Sequence, residues 1–336
     1  MKLSIFLLLM QFTLLTGCKK NKDITPTKDP DVYVAGFDYK AGKSIAKLWT
    51  NGIAQSLTDG SNNALARSVY VSGSDVYVAG YEYNGTKDVA KIWKNGVAQS
   101  LSDGSKHASA HSVFVSGIDV YVAGAQSTGT INVAMVWKNG TAQLIGDGLN
   151  SSEASSVYVS GSDVYVAGYE YKAGKTVAKV WKNGTAQSLT DGSNNAYANV
   201  VFVSGGNVYA AGYEYNGNRN VVKVWKNGTA QILTDGSKYA YAGSLFVSGS
   251  DVYVGGYEIK GNNAVTTVWK NGIALPLTDG SKDAGTGYVY VSGSDVYVAG
   301  AENNGTTLVA KVWKNGIAQI LTDGSSYAAA SSVFVK

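Results

Sequence analysis

Seven tryptophans, Trp49, Trp93, Trp137, Trp181, Trp225, Trp269 and Trp313, follow one another at intervals of 44 residues, and the chain has no others. Nearly the same words surround each, as in Asp75 to Gly104, DVYVAGYEYNGTKDVAKIWKNGVAQSLSDG. A constant period of about 40 to 45 residues with several short strand-like runs per copy is the mark of a blade array, in which each unit buries its faces against its neighbours. Function then depends on what the units display together.

Four runs are read in each copy: SVYVSG (Ser68 to Gly73), DVYVAGYEY (Asp75 to Tyr83), VAKIW (Val89 to Trp93) and VAQSLS (Val97 to Ser102). They are rich in valine and tyrosine and bounded by Gly, Asn, Asp and Ser, as short strands are. Asn95-Gly96 and its six counterparts predict type I′ hairpins, and Gly73-Ser74 predicts a second tight turn, so each copy is a four-stranded antiparallel unit. The first two runs are apolar on both faces and belong inside. The fourth alternates and holds Pro276, which suits an edge because proline cannot donate to a ladder. The first run is therefore expected at the axis and the fourth at the rim.

The repeats begin at Asp31 inside a second run and end with Ser332-Val333-Phe334-Val335-Lys336, a first run with nothing after it. The two fragments complete each other. An open solenoid would want polar capping repeats at both ends, and no divergent copy is present. The expected fold is all-β: a seven-bladed β-propeller, residues 31–336, closed by the C-terminal strand joining the first blade.

Ahead of the repeats, residues 1–17 carry Lys2 and an apolar run from Leu3 to Leu15, which is short for a membrane span and fits a signal peptide. The run ends in Leu15-Thr16-Gly17-Cys18, which resembles the lipobox of bacterial lipoproteins, and Cys18 is the only cysteine. The resemblance implies cleavage before Cys18, lipidation of that residue, and a mature chain anchored to a membrane without spanning it. Residues 18–30 read as the lipidated cysteine and a polar tether holding two of the three prolines. Lysine after the cysteine implies, by the same resemblance, delivery to the outer membrane of the cell envelope.

With its one cysteine committed to lipid, the chain forms no internal disulfide, and packing must hold it together. Of the formal net charge of +4, Lys2 and the tether supply +3, leaving the repeats near neutrality. A near-neutral ring without a basic stripe lacks the footprint of a nucleic-acid binder. The regular tryptophans read as wedges between blades and the Asp-Gly pairs, such as Asp103-Gly104, as turns. His107 and His111, the only histidines, have no cysteine or carboxylate cluster near them in sequence. No metal site, cofactor loop or catalytic constellation is read, and the chain is expected to be a monomer. The VYVAG run loosely resembles kelch-type propellers, although a double glycine occurs there only at Gly255-Gly256.

Variation between copies is left as the functional signal. It concentrates in the loops after the second run and in the crossings before the first, both on one face of the ring. From the crossings come the candidate binding residues Arg67, His107, His111, Tyr197, Tyr239, Tyr241 and Tyr327, expected as a rim of contacts. The leading expectation is a lipid-anchored binding scaffold for a glycan or a protein; the alternative is a hydrolase or lyase acting on a polysaccharide in the central funnel.

Overall fold

The computed structural model describes residues 29–285 and 287–336. The signal, lipobox and most of the tether lie outside the described residues. Asp31–Lys336 forms one compact unit, and its strands, β1 to β28 in chain order, make seven four-stranded sheets. Among the described residues no helix is long and apolar enough to cross a membrane.

Blade 2 shows the unit: β4 (Ala64–Ser72), β5 (Asp75–Tyr83), β6 (Asp88–Lys94) and β7 (Val97–Ser100), each paired antiparallel with the next. The Asn95-Gly96 turn has φ of 51° and 82°, the left-handed pair of a type I′ hairpin, and all seven Asn-Gly turns repeat it. The turn asparagine also ties the blade together. Its Oδ1 accepts the Val76 N–H and its Nδ2 donates to Asp75 Oδ1, both at 2.8 Å, while Lys94 Nζ lies 2.7 Å from Asp75 Oδ2. Lys94 therefore holds the Asp75 carboxyl below the usual range, helped by Asn95. These aspartates brace turns, and Asn207 does the same once through Asn227 at 2.8 Å.

Between blades the interface is made of small residues and one large one. The tryptophans are at most 2% exposed. Trp93 packs with Ala35, Ala46 and Leu48 of the preceding blade and with Ala64, Ala66 and Val78 of its own. The alanines admit the indole, which is how one wedge per blade fills the joint. The outer strands, such as β7, are exposed throughout, as the sequence predicts for an edge.

The inner strand departs from expectation. It begins at Ala64, four residues before the SVYVSG run, and so takes in most of what the sequence suggested was crossing loop. Its pairing with β5 slips between Ala66 and Ser68, leaving Arg67 as a bulged residue. Gly80 sits opposite: a Cβ there would stand 2.0 Å from the Leu65 carbonyl oxygen, so only glycine allows the approach. The same bulge recurs in the inner strands β8 (Ala108–Ser116), β12 (Ser152–Ser160), β16 (Ala196–Ser204), β20 (Ala240–Ser248) and β28 (Ala328–Val335). In blade 7 the inner strand β24 is cut to Tyr288–Ser292, where Gly285 and Gly287 stand before it.

Closure is as expected. β28 pairs with β1 (Val32–Lys40), which continues into β2 (Lys43–Thr50) and β3 (Ile53–Ser56), with Val32 opposite Val335 and Asp31 and Lys336 exchanging backbone hydrogen bonds at 2.7 and 2.9 Å. Around the axis, Tyr70, Phe114, Tyr158, Phe202, Phe246, Tyr290 and Phe334 touch in a complete circle with centroids 4.6 to 5.0 Å apart. Their interplanar angles of 47 to 56° bracket the turn of about 51° that seven-fold repetition imposes. This collar narrows one end of the lumen. Deleting residues 328–336 should open the collar and bare the β1 edge. The expected outcome in a thermal melt is a large drop in midpoint with loss of a single cooperative step; an unchanged melt would refute closure by β28.

Candidate functional site: the mouth of the lumen

Above the collar the lumen widens into a cavity of about 270 Å3, lined among others by Arg67, His111, Glu153, Asn199, Tyr241 and Tyr288. The inner strands deliver these residues in layers. The collar is the lowest, the bulge residues Arg67, His111, Ser155, Asn199, Gly243 and Ser331 form the middle, and Glu153 and Tyr241 stand at the top, at the strand position that Leu65, Ser109 and Tyr197 hold in their blades. Because each blade presents the same strand position, residues roughly one period apart become lateral neighbours.

A serine girdle shows this directly. Ser68 Oγ accepts the Val113 N–H, Ser112 the Val157 N–H, Ser156 the Val201 N–H and Ser332 the Val69 N–H, at 3.2 to 3.3 Å, and Ser244 accepts the Val289 N–H at 2.8 Å. Each bond crosses from one blade to the next. Val200 and Tyr288 replace serine in the remaining described blades and interrupt the girdle.

On one side of the mouth, polar groups join in a line. Ser109 Oγ is 2.7 Å from His111 Nε2, His111 Nδ1 is 3.2 Å from Glu153 Oε1, and Tyr169 donates its hydroxyl to Glu153 Oε2 at 3.2 Å. A carboxylate only accepts, so Nδ1 carries the imidazole proton and Nε2 receives the Ser109 hydroxyl. Burial pushes the His111 imidazole below its ordinary range; Glu153 pulls it back and Arg67 adds to the depression. His111 is thus neutral near pH 7. Sequence reading missed this line because its members come from two blades; shifting Glu153 back by one period would have set it beside His111.

From Tyr169 onward around the ring runs an arc of five tyrosines across blades 4, 5 and 6. Tyr169 meets Tyr197 at 4.9 Å, Tyr197 meets Tyr213 at 5.0 Å, Tyr213 meets Tyr241 at 5.6 Å, and Tyr241 stacks on Tyr257 at 5.6 Å. Gly243 makes room, since a Cβ there would lie 2.9 Å from the Tyr241 ring. Desolvation raises the phenols of Tyr169, Tyr213, Tyr241 and Tyr257.

The seven candidates divide accordingly. Arg67, His111, Tyr197 and Tyr241 are strand residues rather than loop residues at a rim; Arg67, His111 and Tyr241 line the cavity, and Tyr197 packs between the rings of Tyr169 and Tyr213. His107, Tyr239 and Tyr327 precede the strands. His107 Nδ1 accepts the Asp88 N–H at 3.2 Å, the place Asn63 and Asn195 take in their blades with Ser44 and Thr176 at 3.0 Å, so His107 caps a neighbouring strand. Tyr239 lies 5.1 Å from the Arg219 guanidinium and Tyr327 lies 5.6 Å from Phe37. Cys18 is outside the described residues. Among the described residues no three His, Cys, Asp or Glu side chains are grouped to hold a metal ion.

No protein-family model matches the chain, and no curated protein sequence does. Among solved structures the chain is similar to an acylaminoacyl peptidase of Pyrococcus horikoshii, with a TM-score of 0.52, 12% identity and 88% of this chain covered. The match covers 52% of the peptidase, so this chain spans about half its length. At that identity the likeness speaks for the propeller fold alone.

The raised phenols set an alkaline limit. Tyr213 and Tyr290 are pushed up to about 12 from an ordinary 10. Between those values the native state keeps protons that the unfolded chain has lost, so their contribution is complete below pH 10 and is lost as pH rises toward 12. The melting temperature should therefore fall steeply above pH 10, with phenolate absorbance from these residues appearing only on unfolding; a flat melting temperature to pH 12 would contradict the burial.

Proposed function

We propose that this protein is a binding scaffold of the cell envelope, held by lipid on Cys18, whose lumen receives one saccharide unit. The observation that carries this reading is the asymmetry of the mouth: a hydrogen-bonding line that meets an aromatic arc at Tyr169, built on an otherwise repeated ring. Sugar rings offer apolar C–H faces and a rim of hydroxyls, and a site for them needs both an aromatic wall and fixed polar groups. Tyrosine serves twice, with area at small entropic cost and a hydroxyl. The cavity of about 270 Å3 falls just below the roughly 300 to 1,000 Å3 of drug-sized ligand sites, which favours a single ring over a protein loop.

Asp31, where β1 is approached, pairs with Lys336 at the end of the inner strand farthest from the mouth. The lipid reading rests on the Leu15 to Cys18 resemblance, and Cys18→Ser is expected to move the protein from the membrane to the soluble fraction. Retention of the variant in salt-washed membranes would reject it.

The Ser109, His111 and Glu153 line favours a second reading, hydrolysis with Ser109 as nucleophile and His111 as base. It ranks second because it employs three residues, whereas binding accounts for the arc, the cavity and the line together.

Both readings meet in one experiment on the full chain carrying Cys18→Ser. Against a panel of oligosaccharides, binding is expected, and Tyr241→Ala, at the arc tyrosine that lines the cavity, should weaken it by about 1 to 4 kcal/mol, the range of interface anchors. The same substitution removes two ring contacts and should cost about 0.5 to 1.5 kcal/mol of stability for each. Unaltered affinity would reject the tyrosine wall. Turnover of a bound glycan that disappears in Ser109→Ala would establish hydrolysis instead.

A further inference from the structure

The bulge residue of the inner strand lines the cavity in six blades, as Arg67, His111, Ser155, Asn199, Gly243 and Ser331, while in blade 7 the same place in sequence is held by Gly287, ahead of the shortened β24. Arg67 is the one permanent cation among them. Its guanidinium carbon lies 5.4 Å from the centroid of the Tyr81 ring, the side chain is exposed, and no carboxylate of the described residues stands within ion-pairing distance of it.

The acids nearby already have partners. Glu153 is engaged through both oxygens, by His111 Nδ1 and by the Tyr169 hydroxyl, each at 3.2 Å. Glu82, Glu170, Glu214 and Glu302 pair with Lys91, Lys179, Lys223 and Lys311 at 2.5 to 3.3 Å. The charge of Arg67 therefore stands uncompensated at the wall of the cavity, close enough to act on both His111 and the Tyr241 phenol.

The floor adds a second, independent feature. In the girdle, the oxygens of Ser68, Ser112, Ser156 and Ser332 are taken up by N–H groups of adjacent blades, and all four residues line the cavity. A hydroxyl whose oxygen is already accepting keeps its proton to give. The lower cavity thus offers hydroxyl donors beneath a guanidinium and few free acceptors.

From the unpaired Arg67 above this donor floor we infer that the saccharide unit bound in the lumen is acidic, a sugar ring bearing a carboxylate that Arg67 receives. The planar guanidinium fork matches a carboxylate through two parallel N–H donors, and an aromatic ring behind it holds the plane while leaving the edge free. The inference rests on the proposed saccharide reading and names its ligand class.

The test titrates the full chain carrying Cys18→Ser with D-glucuronate and D-galacturonate, with glucose and galactose as neutral counterparts, and with acetate and a short acidic peptide, by calorimetry at fixed ionic strength. The hexuronates are expected to bind roughly tenfold or more tighter than the hexoses, as a charge-assisted pair does over a neutral one. Arg67→Ala should abolish that preference, and Arg67→Lys, which keeps charge without the fork, should restore it only in part. Thermal melts of the variants should match the parent, since Arg67 is exposed. Equal binding of hexoses and hexuronates, with Arg67→Ala altering neither, would overturn the acidic ligand while leaving the saccharide reading standing. Tight binding of the peptide with no sugar bound would overturn both. Acetate binding as tightly as hexuronate would overturn the sugar ring and leave a bare anion site.

Discussion

A blade of this protein cannot hide its own apolar surface, and the joint between blades is the interaction on which everything else depends. Both faces of each sheet are buried, one against the preceding blade and one against the next, so no blade is complete until its neighbours are in place. Trp93 with Ala35, Ala46, Ala64 and Ala66 shows the economy of that joint: one large side chain entering a bed of alanines. The indole nitrogen of Trp93 has no hydrogen-bond partner, a cost accepted for filling the joint with one rigid body. A ring is the only finite arrangement of such units with no bare end face, and β28 reaching back to β1 is what makes it finite.

The bulge converts this rigid ring into a site. Without it, strict alternation would send each inner-strand residue either into a joint or toward its neighbour's edge. The extra residue at Arg67, His111 and Asn199 re-aims a side chain into the lumen while Ala66 and Val69 stay in the joint. Gly80 and its counterparts make the bulge possible, because the Leu65 carbonyl occupies the space of a Cβ. The glycine of the repeated VYVAG run is therefore a consequence of having a lumen wall at all. The serine girdle works in the same way, spending its acceptors on the joint and keeping its protons for the cavity.

Sequence revealed what is local and repeated, and it lost what is lateral. Asn95-Gly96 announces its turn because two neighbouring residues must both take positive φ, and the tail from Ser332 to Lys336 announces closure because a missing strand is countable. The inner strand runs four residues beyond its sequence pattern because Ala64 to Arg67 carries little β-propensity of its own; its pairing comes from Glu82 and Tyr81 across the sheet. His107 and His111 looked alike, yet one caps a strand and the other faces the lumen, since four residues and a bulge separate their surroundings. Ser109, His111 and Glu153 could not be seen as a line while the chain was read end to end. In a ring of period 44, position 153 lies beside position 109.

The distribution of change along β4 and its equivalents bears on whether the lumen was shaped or merely drifted. Position 66 is alanine in each described copy, and position 64 is alanine in all but Ser152. Position 65 between them runs through Leu, Ser, Glu, Tyr, Tyr, Gly and Ala, and position 67 through Arg, His, Ser, Asn, Gly, Gly and Ser. Constancy and variety thus alternate with the two-residue period of the strand, so the joint keeps small side chains, nearly all alanine, while the two variable positions have taken six and five different ones. Drift free of the lumen would spread over solvated positions and would have no reason to bring an acid, a neutral imidazole and a hydroxyl into one hydrogen-bonded line. Nor would it set an unpaired guanidinium over the donors of the serine girdle. The repeated scaffold supplies the rigidity on which such a convergence can be held, and the departures from repetition, at Arg67, His111, Glu153, Tyr197 and Tyr241, are where its chemistry resides.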